Sequence, residues 1–290
     1  MGTVLSDPQR AWLDRTIGRY DVAADMSWDL TPSSVWHIRD GAGTSLIIKI
    51  ASAEMRHHIA REIDAHEQVV SALSATGDAQ SLIAADRDLS IMVLSYLPGS
   101  LVENTPAVHE PEMYRQAGGL LARIHSQGAR LDDGYDRYQH ERLYRLLGDT
   151  HRIPADQMER IRRVLASYTP RPVTVVPTHG DWHARNWLID GSSLRVIDFG
   201  RFSWRPASTD FVRLAFFQPT LAAAHMDGYG ADPRGRTWAM DCLREAVSTA
   251  VWAYHMGDEP FEQHGLAMID YSLSLFSLDE GCSASITASP

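Results

Sequence analysis

Hydrophobic positions along the chain follow two rhythms. In the first third the runs are short and β-branched. Val35-Trp36-His37-Ile38 and Ser45 to Ile50 flank the turn signal Asp40-Gly41-Ala42-Gly43 and predict an antiparallel pair. Leu82 to Ala85 and Ser90 to Leu94 predict a second pair around Asp86-Arg87-Asp88. Between these pairs the period lengthens. Ile59, Ile63, Val70 and Leu73 recur at helical spacing, with Ser52 as a candidate cap and Glu54 in the first turn. A shorter amphipathic helix is predicted over Pro8 to Tyr20, with Trp12, Leu13 and Ile17 on one side.

After the break at Pro98-Gly99 the chain turns mostly helical. Met113, Ala117, Leu120, Leu121 and Ile124 follow Pro111 at helical spacing, with His125 read as structural. Further helices are predicted over Pro154 to Tyr168, Arg234 to Met256, and Pro260 to about Phe276. Residues 128–153 are polar and Tyr-rich (Tyr135, Tyr138, Tyr144) and read as irregular. Three strand-like runs interrupt the helices: Val173 to Val176, Trp187 to Ile189, and Leu194 to Ile197. The last two are joined by Asp190-Gly191-Ser192. Ser283 to Pro290 reads as a frayed tail.

Those three runs frame the residues with the most chemistry. His179-Gly180-Asp181-Trp182-His183-Ala184-Arg185-Asn186 precedes one strand, and Ile197-Asp198-Phe199-Gly200 ends another. Asp181, Asn186 and Asp198 thus sit at strand ends or on the adjoining loops. Two carboxylates and a carboxamide facing one small space suit phosphoryl transfer. One Asp orients or deprotonates an attacking hydroxyl, and the other Asp and the Asn offer hard oxygen ligands to Mg²⁺.

The spacing carries more than the residue types. Asp181 and Asn186 are five apart, as in the kinase catalytic loop, and Asp198-Phe199-Gly200 follows in the manner of the Asp-Phe-Gly segment. Together they resemble the aminoglycoside phosphotransferase family, antibiotic kinases with a protein-kinase-like fold. That resemblance implies an α+β, two-lobed protein: an antiparallel-sheet lobe with one key helix over residues 1–97, and a mostly helical lobe over 98–290. It implies Asp181 as the catalytic carboxylate, and Asn186 and Asp198 as metal ligands. It places Lys49 on the phosphates, with Glu62 as its partner and Glu67 as the fallback. Ser33 and Ser34 lie where a phosphate-covering loop belongs, although Thr31 to Ser34 has no glycine and equally suits an ordinary hairpin loop. The backbone of Ser95 and Leu97 corresponds to the hinge that reads the base, a site a plain strand end also explains. Leu188 and Ile197 complete the nucleotide set. Asp210 resembles a bracing Asp of the family, and is also a normal residue for a helix N-terminus. No Ala-Pro-Glu follows Gly200, which argues against a protein kinase. The implied cofactors are Mg²⁺ and ATP, with GTP equally open.

Composition sharpens two of these expectations. Of the 27 basic residues only Lys49 is a lysine. A compact ammonium and a broad guanidinium fork are not interchangeable, so a single Lys marks a place where the fork does not fit. The net charge of −10 argues against a nucleic-acid partner. From His225 onward ten carboxylates face three arginines, either as a solvated acidic face or as a field that attracts a polycationic acceptor such as an aminoglycoside or capreomycin. Homoserine or choline is the metabolic alternative, and a scaffold without turnover is the non-enzyme one. No apolar run of 18 residues suggests a membrane span, and no basic segment followed by an apolar core suggests a secretory leader. Cys242 and Cys282 have no metal spacing and fit a reducing cytoplasm. A monomer or homodimer is expected.

Overall fold

The computed structural model describes residues 5–27 and 33–283, with side chains to residue 276. Helix α1 (Asp7–Thr16) opens with a reciprocal capping pair, Ser6 and Gln9. Strands β1 (Tyr20–Asp25), β2 (Ser33–Asp40) and β3 (Ser45–Ala51) follow. Then come α2 (Arg56–Ala65), a π-turn (His66–Val70) and α3 (Ser71–Ser74). Strands β4 (Leu82–Asp86) and β5 (Ile91–Ser95) complete an antiparallel sheet of order β1-β2-β3-β5-β4. Beyond it lie β6 (Ser100–Leu101), α4 (Pro111–His125), β7 (Arg130–Asp132), α5 (Tyr135–Leu146), α6 (Ala155–Ser167) and β8 (Val173–Thr178). The hairpin of β9 (Trp187–Asp190) and β10 (Ser193–Val196) precedes α7 (Val212–Phe217), α8 (Pro219–Tyr229), α9 (Trp238–Met256) and α10 (Glu259–Ser283).

The chain forms two compact units. One comprises Met1–Gly128, Pro177–Trp204 and Thr220–Ala231; the other comprises Ala129–Val176, Arg205–Pro219 and Asp232–Pro290. The first unit therefore joins α4, the β9–β10 hairpin and most of α8 to the sheet-bearing segment.

In the first unit β3 shows why the site forms. Leu46, Ile48 and Ile50 point to the face covered by α1, beside Leu13 and Ile38. Ile47 and Ala51 point to the other face, against Ile59 and Ile63 of α2. Side chains alternate along a strand, so Lys49 must share the α2 face with Ile47 and Ala51. Gly118 on α4 and Gly228 on α8 permit a close crossing, since a Cβ on either would overlap backbone atoms of the opposite helix.

The second unit is a helical core built by Leu143, Ile161, Leu165, Leu243, Val247, Ile269 and their neighbours. It also buries charge. Asp136 accepts hydrogen bonds from the Tyr168 hydroxyl at 2.9 Å, the Arg171 amide at 3.0 Å and Arg244 at 2.6 Å.

Two local expectations are corrected. Ser52 does not cap α2: the Met55 amide donates to the Ser52 carbonyl in a turn, and the helix starts only at Arg56, without a side-chain cap. Residues 128–153 are not irregular. Asp132 accepts from the amides of Gly134 and Tyr135 and starts α5, whose buried residues Asp136 and Leu143 lie two turns apart. Half of that buried face is a carboxylate, so no hydrophobic period announced it. Thr31, Pro32 and the tail after Ser283 lie outside the described residues. Among the described residues no helix is long and apolar enough to cross a membrane.

Candidate active site

The site lies within the first unit and starts at Lys49. Its ammonium donates to both oxygens of Glu62, at 2.7 and 2.9 Å, and stands 3.5 Å from Oδ1 of Asp198. Lys49 and Glu62 are 9% and 2% exposed. Burial works against the Lys49 charge, but Asp198 and Glu62 together outweigh it and hold its pKa above the ordinary lysine value. The fallback partner, Glu67, is exposed and pairs with Arg87 instead.

Three residues of the helical segment face the Asp198-Phe199-Gly200 stretch. The Phe199 amide approaches Glu62 Oε1 at 3.4 Å. One turn earlier, His58 Nδ1 donates to the Gly200 carbonyl at 3.0 Å. One turn later, the His66 ring meets the Phe199 ring edge-on, with centroids 6.0 Å apart. Burial, with the Lys49 charge, pushes the His66 pKa down to about 4. Sequence reasoning selected only Glu62 from this stripe. The signal that finds the other two is a run of polar residues at i, i+4 and i+8 beside the apolar positions Ile59 and Ile63.

Asp198 adopts φ 65°, a left-handed conformation that Asp tolerates better than most residues at some cost in strain. Its Oδ1 accepts from the Gly200 amide at 3.2 Å. The Lys49 ammonium keeps its carboxyl below the usual carboxylate range. About half of the Asp198 side chain is open.

Asp181 and Asn186 form the other half of the site. Asn186 Nδ2 donates to the Asp181 carbonyl at 2.8 Å and to its Oδ2 at 3.1 Å. Arg185 donates to the same Oδ2 at 2.8 Å, and His183 Nε2 lies 3.4 Å from Oδ1. Gly180 (φ 83°) takes the tight turn into this loop. His179 ties the halves together. Its Nδ1 accepts from the Asp181 amide at 3.2 Å, so Nε2 carries the proton and donates to the Ile197 carbonyl at 3.1 Å. The Ile197 amide in turn donates to the Asn186 carbonyl. His179, Arg185 and His183 were not selected from sequence, although all three lie inside the quoted motif.

The donor set fits a magnesium ion. Asn186 commits its amide nitrogen to Asp181, which leaves the carboxamide oxygen as its ligating end, and Asp198 offers a half-open carboxylate. Two hard oxygens, completed by water and phosphate, are the normal protein share of a Mg²⁺ site. Among the described residues no cluster of three or more His, Cys, Asp or Glu offers an all-protein cage.

The remaining predicted positions are more dispersed. Ser33 and Ser34 are the first residues of β2, opposite Ala51 and Ile50, rather than part of a loop; Ser34 is fully buried. Ser95 ends β5, three residues beyond Met92, which pairs with Lys49. Its carbonyl accepts from Gln80 Nε2 at 2.9 Å, so a base edge would use the second lone pair. Leu97 follows Tyr96, which stacks on His37 at 4.2 Å. Leu188 is buried in β9, and Ile197 immediately precedes Asp198. Asp210 is buried in the second unit.

Residues 29–245 match the model of the phosphotransferase enzyme family. Thiamine kinase of Escherichia coli is 31% identical over 108 residues, which is 37% of this chain and 37% of that protein. The aminoglycoside phosphotransferase APH(4)-Ia, a thermostable mutant solved with ADP and hygromycin B, superposes with a TM-score of 0.59 at 12% identity, over 91% of this chain and 97% of its own. Choline kinase LicA of Streptococcus pneumoniae superposes with a TM-score of 0.61 at 12% identity, over 93% and 99%. By the extent of the family match, the chain belongs to the phosphotransferase enzyme family.

Proposed function

We propose that the protein transfers the γ-phosphoryl group of ATP, with Mg²⁺, to a hydroxyl of a small cationic molecule. The observation that carries this reading is the joining of two clusters through His179: Lys49–Glu62–Asp198 on one side and Asp181–Asn186 on the other. In this reading Asp181 orients the acceptor hydroxyl and takes its proton as that oxygen bonds to phosphorus. The phosphorus–oxygen bond to ADP breaks, and its electron pair leaves with ADP. Lys49, held by Glu62, neutralises phosphate charge. Asn186 and Asp198 would hold the magnesium ion, which would supply positive charge to offset that of the phosphates. Catalysis is then positioning plus electrostatics around a loose transition state.

A basic antibiotic, an aminoglycoside or a cyclic peptide such as capreomycin or viomycin, is the first acceptor class, with resistance as the biological role. Two observations favour a metabolic acceptor as the second reading. One is the match to thiamine kinase. The other is that the acidic segment is largely neutralised. Of its eight carboxylates with described side chains, seven have an arginine partner: Asp227 with Arg115, Asp232 with Arg234, Asp241 with Arg244, Glu245 with Arg213, Glu259 and Glu262 with Arg152, and Asp270 with Arg160. The eighth, Asp258, accepts from the Phe261 amide at the start of α10.

The test is MgATP turnover against kanamycin, capreomycin, choline, thiamine and homoserine, with mass spectrometry for the gain of one phosphate. Phosphate on an antibiotic supports the resistance reading, and phosphate on a metabolite the second. Bound ATP with no product in any case refutes the cationic-acceptor class.

A further inference from the structure

We infer that His58 is a positioning residue of the metal site: its grip on the Gly200 carbonyl holds the turn that directs the Asp198 carboxylate. This rests on the proposed role of Asp198 as a magnesium ligand. Asp198 at φ 65° is left-handed, and a residue with a side chain keeps such a conformation only where its surroundings impose it. Half of its carboxylate faces solvent, so its direction is set by the contacts behind it, the Lys49 ammonium and the Gly200 amide. Gly200 links that carboxylate to α2. Its amide donates to Asp198 Oδ1 at 3.2 Å, and its carbonyl accepts from His58 Nδ1 at 3.0 Å. A carbonyl oxygen only accepts, so Nδ1 carries the proton.

Glycine has the widest backbone freedom of any residue, so an unanchored Gly200 would let the turn relax. His58 removes that freedom on one side and Asp198 on the other. The space is closed as well. A Cβ on Gly200 would stand 3.2 Å from Asp198 Oδ1 and 3.5 Å from both Cβ and Nδ1 of His58. The other polar contact from α2 to this segment, Glu62 Oε1 with the Phe199 amide, is longer at 3.4 Å and shares its oxygen with Lys49. The Lys49–Glu62 pair fixes where α2 sits, and His58, one turn before Glu62, passes that position on to Gly200. A single hydrogen bond of this kind adds little to global stability. A partner that orients a metal ligand has a large effect on metal affinity. The two roles therefore separate by experiment.

The experiment uses the full chain, a non-hydrolysable ATP analogue and Mn²⁺ as the probe ion, with binding to the protein–nucleotide complex read by electron paramagnetic resonance. It needs no identified acceptor. His58→Ala is expected to weaken Mn²⁺ binding about ten-fold, with metal-free affinity for the analogue within about twofold of wild type and the thermal transition nearly unmoved. His58→Asn places Nδ2 where Nδ1 stands and should recover most of the Mn²⁺ affinity. His58→Gln, whose amide reaches further, should not. Mn²⁺ affinity within about twofold of wild type in His58→Ala overturns the inference. So does an equal loss in His58→Ala and His58→Asn, because the hydrogen bond is then not the cause. So does a loss matched in nucleotide affinity and in the thermal transition, which marks a structural contact. Asp198→Ala separates the two readings. If it binds Mn²⁺ as tightly as wild type, the metal role of Asp198 fails and this inference with it. A loss in Asp198→Ala without one in His58→Ala removes the inference alone.

Discussion

Replacing Glu62 by Gln tests the buried ion pair at the centre of the site. The substitution keeps the volume and one acceptor oxygen but removes the charge. At present the carboxylate serves three donor contacts, two from the Lys49 ammonium at 2.7 and 2.9 Å and one from the Phe199 amide at 3.4 Å. An amide has one acceptor oxygen for them. A hydrogen bond to a charged group contributes about 1.5–3 kcal/mol net. Breaking a buried pair outright costs about 3–5 kcal/mol. Asp198, 3.5 Å from the ammonium and half-open to solvent, takes over part of the compensation. The expected loss is therefore about 2–3 kcal/mol, between those limits. Urea unfolding followed by tryptophan fluorescence reads it directly, since the chain carries eight tryptophans. In the same samples kcat should fall roughly a hundred-fold, because the Lys49 head drifts toward Asp198 and off the phosphates. Glu67→Gln is the control on the same helical segment. Glu67 is exposed and paired with Arg87, so its loss should cost under about 1 kcal/mol and leave turnover intact. Equal effects of the two substitutions, or a Glu62→Gln protein with wild-type stability and rate, would refute the reasoning.

Asp181→Asn and Asp198→Asn should each abolish turnover while leaving the thermal transition within a few degrees of wild type; near-normal activity in either variant removes it from the site. Chelation of divalent metal should likewise stop turnover, and added Mg²⁺ should restore it. His66 stays neutral in the fold because its pKa is pushed down to about 4, whereas in the unfolded chain it takes a proton near 6.5. Its stabilising contribution is thus complete above pH 6.5 and is lost as pH falls toward 4. That amounts to about 3 kcal/mol of unfolding free energy, which urea titrations of the wild type and His66→Gln should resolve as a flatter pH dependence in the variant. In the second unit Asp136→Asn should destabilise by about 2–3 kcal/mol, read by the same unfolding assay, because the charged partner of Arg244 at 2.6 Å becomes neutral while Asp241, at 3.3 Å, compensates in part.

Much of this protein was legible along the chain. The family resemblance of the catalytic motif implied Lys49 with Glu62 as its partner, and the helical period of Ile59 and Ile63 marked the helix that carries Glu62. The fixed spacing of Asp181, Asn186 and Asp198 named the chemistry. These features are local, set by the two-residue repeat of a strand, the turn of a helix and the reach of a tight loop. Tertiary structure decided what depends on partners distant in sequence. Helix α5 was hidden because its buried face is half carboxylate, and partners distant in sequence, the Tyr168 hydroxyl, the Arg171 amide and Arg244, make burial of Asp136 tolerable. His58 and His66 read as ordinary helical polar residues until Gly200 and Phe199 arrive beside them. The acidic run after His225 looked like an open field because a sequence counts charges without their distant partners; in the folded chain arginines from outside the run pair with five of its carboxylates, Asp227, Glu245, Glu259, Glu262 and Asp270. Periodicity and spacing are properties of one segment, whereas burial of charge is a property of two segments that meet only in the folded chain.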